Sequence, residues 1–146
     1  MAEVPTKKPK ALETAIVIDV PFYDVDAMHV VWHGNYVKYL EVARCALMDT
    51  LDFNYAQMEQ SGYIWPIVDM RIKYIGSALF TQKIKVLATI VEYENRIKIE
   101  YVITDTETGN VLTKAYTVQV ALSTASKEML YSTPNVMLEK LGVAND

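Results

Sequence analysis

Residues 24–44, DVDAMHVVWHGNYVKYLEVAR, decide how the rest of the chain must be arranged. The first half of this stretch has no period. Two carboxylates, Asp24 and Asp26, are followed by both of the chain's histidines, His29 and His33. The second half is helical. From Asn35 the apolar residues Tyr36, Tyr39, Leu40, Ala43 and Leu47 recur at helical spacing, with Lys38, Glu41 and Arg44 between them. Asn35 is the expected N-cap, and the helix is expected to run to residue 50.

Working outward, a strand is expected over 14–20, closed by Pro21. Residues 1–12 read as a flexible basic tail. Beyond the helix, a short helical piece over 54–60 should end at Gly62. After Pro66 the period falls to two. Ile67, Asp69, Arg71 and Lys73 alternate with Val68, Met70, Ile72 and Tyr74, which predicts a strand.

The next segments form a hairpin. With Glu94-Asn95 as a two-residue turn, Tyr93 stands opposite Arg96. One face then carries Ile84, Val86, Ala88 and Ile90 against Ile97, Ile99, Tyr101 and Ile103. The other carries Lys83, Lys85, Thr89, Arg96, Lys98 and Glu100, with Val91 and Val102 among them, polar enough for water and apolar enough for a partner subunit. A turn at 106–110 leads into a last long strand expected over 111–122, and a short helix follows Pro134. The order strand, helix, four strands predicts one α+β domain over 1–146, with the helix laid on the apolar face of a five-stranded antiparallel sheet.

Composition excludes several classes. The chain has 146 residues, 51% of them hydrophobic and 22% charged, so it can bury a real core. The net charge of −4 gives no general drive towards nucleic acid or an anionic membrane. A single cysteine, Cys45, rules out an internal disulfide framework. No apolar run approaches the roughly 18 residues that span a bilayer, and the N-terminus lacks a signal-peptide core. A cytoplasmic setting is expected. The sequence contains no G-x-S-x-G, no Gly-rich phosphate loop and no cysteine cluster.

The candidate chemistry sits in the opening stretch. A carboxylate just before a helix start, as Asp26 is, serves commonly as a cap or turn former. It can also act as a base or nucleophile, because the positive helix end favours its ionised form. Only one of Asp24 and Asp26 is expected to face a site. His29 and His33 are four apart, but they precede the helix rather than share its face, so no metal is expected. Glu41 and Arg44 read as an exposed ion pair, and Cys45 as a small buried side chain.

The pattern Asp24-Val25-Asp26, then His33-Gly34-Asn35-Tyr36, then Tyr39-Leu40-Glu41-Val42-Ala43-Arg44 resembles the hotdog-fold acyl-CoA thioesterases. Within these it is most similar to the 4-hydroxybenzoyl-CoA thioesterase/YbgC-like group. The resemblance implies a hotdog fold, a long central helix wrapped by the curved sheet. It implies hydrolysis of acyl-CoA or acyl-carrier-protein thioesters without cofactor or metal, at a site between the subunits of a homodimer or homotetramer. It assigns the catalytic carboxylate to Asp26 and the oxyanion-binding backbone N–H to His33, with Gly34 adjacent. Substrate contacts would come from Asp24, His29, Trp32, Asn35 and Tyr36, and the CoA phosphates would meet basic residues such as Arg71 and Lys73, with Arg96 and Lys98 as further candidates.

Two glycines of the family pattern are replaced here by Met28 and His29. Trp32, Tyr36, Tyr39, Tyr63 and Trp65 either line an acyl pocket or belong to the core. The rival readings are a non-catalytic acyl-thioester binding module and a hotdog dehydratase or hydratase, whose histidine motifs are missing from this sequence.

Overall fold

Apolar residues at every second position from Ile84 to Ile90 and from Ile97 to Ile103 leave residues 83–105 one way to bury an apolar face, and the chain takes it. The structure, a computed structural model, describes residues 12–143. Its elements are β1 (Glu13–Asp19), a single 3-10 turn (Phe22–Asp24), α1 (Asn35–Thr50), α2 (Tyr55–Ser61), β2 (Tyr63–Ile64), β3 (Ile67–Tyr74), β4 (Lys83–Glu92), β5 (Ile97–Asp105), β6 (Val111–Gln119), β7 (Leu122–Ser123) and α3 (Asn135–Leu141). Except for Leu12, the tail expected over 1–12 lies outside the described residues.

Five strands form one antiparallel sheet in the order β1-β4-β5-β6-β3. The expected β4–β5 register holds from Ile84–Asp105 to Ile90–Ile99. All eight residues of its predicted apolar face are buried. The helix bounds are also as expected. Tyr36, Tyr39, Leu40, Ala43 and Leu47 of α1 are buried, and α1 packs on β1 and β4. Gly62 ends α2 with φ +84°, a left-handed conformation that costs other residues a Cβ clash.

Three expectations fail for local reasons. The β4–β5 turn is wider than two residues, because a bulge between Ile90 and Glu92 pairs Glu92 with Lys98. The widened turn is braced by Arg96, whose Nε donates to Glu92 Oε1 at 2.9 Å. The last strand stops at Gln119 rather than continuing to 122. Its neighbour β3 begins at Ile67, just after Pro66, which has no N–H to extend the ladder. The chain leaves the sheet there, and Leu122–Ser123 pairs with Tyr63–Ile64 instead.

The third correction concerns the helix cap. Gly34 occupies the cap position with no side-chain cap, and Asn35 is the first helical residue. The Asn35 amide turns away and donates to the Asp24 carbonyl at 2.8 Å.

Candidate active site

Asp24 and Asp26 are two residues apart and do different things. Asp24 closes the 3-10 turn, which directs its side chain inward, and it is only 3% exposed. Its Oδ2 accepts from the Tyr39 hydroxyl at 2.7 Å, and its Oδ1 pairs with the Lys38 ammonium. Its carbonyl accepts from Asn35 Nδ2 and from Trp32 N–H. Asp24 is therefore a latch between the loop and α1. The structure does not offer it to a substrate, against the expectation from sequence.

Asp26 is half-buried at the head of a tight reversal. Its N–H donates to the Val30 carbonyl, and its own carbonyl accepts from His29 N–H, both at 2.9 Å. Its Oδ1 accepts from Met28 N–H at 2.8 Å. The carboxylate is thus held in orientation, while Oδ2 has no hydrogen bond among the described residues.

The reversal requires φ +64° at His29, where the family pattern has glycine. His29→Gly should therefore raise stability by about 1 kcal/mol. A thermal melt with an unchanged or lowered midpoint would contradict this.

Asp26, His33, Tyr36 and Tyr74 line one small cleft of about 310 Å³, closed on a further side by Ile75, Gly76 and Ser77. Tyr74 donates its hydroxyl to the His33 carbonyl at 2.9 Å, which fixes the peptide entering the helix. Tyr36 accepts from Ala78 N–H at 3.1 Å and anchors the 75–78 segment to α1. The His33 and Gly34 amides make no backbone hydrogen bond among the described residues. They lie at the N-terminus of a four-turn helix, where donors are unsatisfied and the potential is positive. A carboxylate and free amides around one cleft can attack an ester carbonyl and hold the oxyanion that forms.

Other expected site residues are placed differently. Trp32 is half-exposed and packs at a tilt against His33, with ring centroids 4.9 Å apart. Its ring fills the space that a Cβ on Gly34 would need, at 2.2 Å. A side chain at 34 would have to displace the Trp32 ring from this position. His29 is exposed, and neither it nor Asn35 lines the cleft. Arg71 and Lys73 lie exposed on β3, outside the cleft. Arg96 is engaged by Glu92, and Lys98 lies 4.6 Å over the Tyr116 ring.

Tyr39 belongs to the core. Tyr63 and Trp65 line a second, larger cavity between α1 and α2, together with Arg44. Arg44 does pair with Glu41, but its side chain is only 12% exposed. This corrects the reading of an exposed pair: the guanidinium lies beside the buried Tyr101 hydroxyl of β5. Among the described residues no three His, Cys, Asp or Glu side chains converge.

Sequence reasoning missed Tyr74 and the 75–77 segment. They lie some forty residues from His33, and no local pattern marks them. It also missed the fate of the buried phenols. Burial and the Asp24 carboxylate push the Tyr39 hydroxyl well above the ordinary tyrosine range. Burial raises Tyr36 and Tyr101 in the same direction. These groups stay protonated when folded. Their contribution is complete below the unfolded tyrosine value of about 10 and is lost as pH rises towards the folded values. The urea midpoint should therefore fall above about pH 10. The fall should be shallower in Tyr39→Phe, and equal slopes in the two proteins would contradict the assignment.

The profile of the thioesterase-like superfamily matches residues 20–141. YneP of Bacillus subtilis (strain 168), named provisionally as an acyl-CoA thioesterase, is 37% identical over 84 residues, which is 58% of this chain and 60% of YneP. That match spans less than two thirds of YneP. The DHNA-CoA thioesterase of Staphylococcus aureus is 29% identical, with a TM-score of 0.73 over 82% of this chain and 80% of that one. A 1,4-dihydroxy-2-naphthoyl-CoA thioesterase from Synechocystis shares the fold, with a TM-score of 0.79 at 17% identity over 89% and 96% of the two chains. No helix among the described residues is long and apolar enough to cross a membrane.

Proposed function

This chain belongs to the thioesterase-like superfamily, and from that premise we propose that it is a single-domain hotdog hydrolase of the 4-hydroxybenzoyl-CoA thioesterase/YbgC-like group. In this reading α1 is the helix around which the sheet wraps. The protein cleaves acyl-CoA or acyl-carrier-protein thioesters in the cytoplasm to free acid and thiol. The supporting observation is the cleft that gathers the Asp26 carboxylate and the free amides at the start of α1.

The chemistry needs little more. The His33 amide, with Gly34 beside it, holds the thioester oxygen as it becomes an oxyanion. Asp26 either attacks the carbonyl carbon, giving a mixed anhydride that water then opens, or takes a proton from the attacking water. In both cases the C–S bond breaks and the electron pair leaves on sulfur. A thiol with a pKa near about 8.5 leaves as thiolate without a strong acid beside it.

The active form in this reading is a dimer. β3 is an edge strand of the sheet. Val68 and Tyr74 on it, and Ile64 and Ile75 flanking it, are each about half exposed. An edge with apolar side chains invites pairing with a second copy. The Asp26 cleft borders Tyr74 at one end of β3, and the larger cavity borders Ile67 at the other. Those ends are roughly 23 Å apart at about 3.3 Å per residue. Antiparallel pairing of two β3 edges would bring one protomer's cleft beside the other's cavity.

The test is thiol release from a panel of short, long and aromatic acyl-CoAs, followed by carrier-protein thioesters. Release above the spontaneous rate is expected from at least one. Binding without release from any of them would replace the hydrolase with an acyl-thioester binding module.

A further inference from the structure

A helix start is ordinarily fixed by the side chain of its own cap residue. The start of α1 lacks that device. Its cap is Gly34, which has no side chain, and the Asn35 amide is turned to the Asp24 carbonyl. Yet an amide that holds an oxyanion must keep its aim, because a hydrogen bond weakens steeply once it is bent below about 120°.

The missing restraint comes from β3. Tyr74 is its last residue and stands opposite Thr113 of β6. The next two amides, of Ile75 and Gly76, both donate to the Leu112 carbonyl, at 2.9 and 2.8 Å. The backbone at Tyr74 is thereby tied to β6. Its ring packs edge-on against Tyr36 and His33, with centroids 5.2 and 6.5 Å away. From this position the hydroxyl donates to the His33 carbonyl at 2.9 Å. Among the described residues no other side chain bonds the backbone of residue 33 or 34.

That carbonyl and the Gly34 N–H belong to one trans peptide. A trans peptide is planar, so the two groups point in opposite directions within one plane. Holding the carbonyl therefore aims the amide. A donor on the carbonyl oxygen also polarises the peptide and strengthens its N–H, by about 10–30% per bond. The His33 N–H belongs to the preceding peptide, whose Trp32 carbonyl accepts from Asn35 N–H at 2.9 Å. Both peptides at the helix start are thus held through their oxygens, one by the backbone and one by Tyr74.

We propose that Tyr74 is a positioning residue for the reaction: its hydroxyl fixes the peptide between His33 and Gly34 and so sets the aim and strength of the amides that bind the oxyanion. That the oxyanion comes from a thioester rests on the hydrolase reading above; the hold on the peptide rests on the hydrogen bond from β3.

The test reads the thioester carbonyl itself. Decanoyl-CoA and benzoyl-CoA, isotopically labelled at that carbonyl, are bound to the Asp26→Asn protein, and infrared difference spectra record the stretch. A carbonyl that accepts from oriented amides should stretch at lower frequency than in water. Adding Tyr74→Phe, which keeps the ring and removes the hydroxyl alone, should return the stretch towards its value in water. A ring-fluorinated tyrosine at 74, a stronger donor, should move it the opposite way, which no loss of packing would do; it carries the test alone should Tyr74→Phe not fold. In the protein that retains Asp26, Tyr74→Phe should lower kcat about tenfold and change KM by less than about twofold. A bound carbonyl stretch that neither substitution moves overturns the proposal, and so does a Tyr74→Phe kcat within about twofold of wild type. With thiol release by the wild type, either result leaves the hydrolase reading standing. A carbonyl that responds to Tyr74 in a protein that releases no thiol keeps this inference and loses the hydrolase. Failure of both thioesters to bind removes both.

Discussion

Asp26→Asn is expected to lower kcat for thioester hydrolysis by roughly 10²–10⁴ while leaving the fold intact. The size follows from losing the one carboxylate in the cleft, whether it attacks carbon or activates water. The intact fold follows from geometry. An asparagine oxygen can still accept from Met28 N–H, the bond that orients the side chain. The reversal through His29 depends on backbone hydrogen bonds that the change does not touch. The measurement is steady-state thiol release beside a thermal melt. Hydrolysis within about threefold of wild type would remove Asp26 from the mechanism, and a collapsed melt would make the kinetic loss uninformative. Single turnover in isotopically labelled water then tests for attack by the carboxylate followed by opening of the anhydride at the Asp26 carbon. Label enters the Asp26 carboxylate of the wild-type protein only if that carboxylate attacks.

Asp24→Ala should act on stability first. It removes a buried acceptor and leaves the Tyr39 hydroxyl, on a residue 2% exposed, without its partner. Lys38 is 48% exposed and can return to water, so the ion pair adds little to the loss. The cost of the orphaned hydroxyl and the lost carboxylate bonds is about 2–3 kcal/mol, measured by urea denaturation. Tyr39→Phe, which removes the donor instead, should cost about 1 kcal/mol. The double variant should cost clearly less than the sum, because the two changes share one hydrogen bond. Additive losses would show that the Asp24–Tyr39 bond is not what ties the loop to the helix.

The contrast between these two aspartates shows how far the sequence could be read. Both stand before a helix start, and residue type and spacing do not separate them. The separation comes from the 3-10 turn at Phe22–Asp24, which rotates the first carboxylate towards Tyr39 and leaves the second in a half-exposed reversal. The two halves of the cleft raise the same difficulty. His33 and Asp26 are neighbours in sequence, but Tyr74 reaches His33 across forty-one positions through a hydrogen bond that no local pattern encodes. The cap of α1 was misread because Asn35 has a better acceptor in the Asp24 carbonyl, which only the folded loop presents.

What the sequence determined by itself was everything that depends on period and on backbone chemistry. The 3.6-residue recurrence from Tyr36 to Leu47 set the helix and its buried face. The two-residue alternation of β4 and β5 set their register, because a slip of one residue would expose every buried isoleucine. What the tertiary structure decided was everything that depends on distant segments meeting. This includes the end of β6 beside Pro66, the burial of Arg44 beside the Tyr101 hydroxyl, and the formation of an Asp26 cleft at one end of β3 and a separate, larger cavity at the other. Periodicity is a property of neighbours along the chain and survives in a string of letters. A cavity is a property of the space between elements and exists only once they have packed.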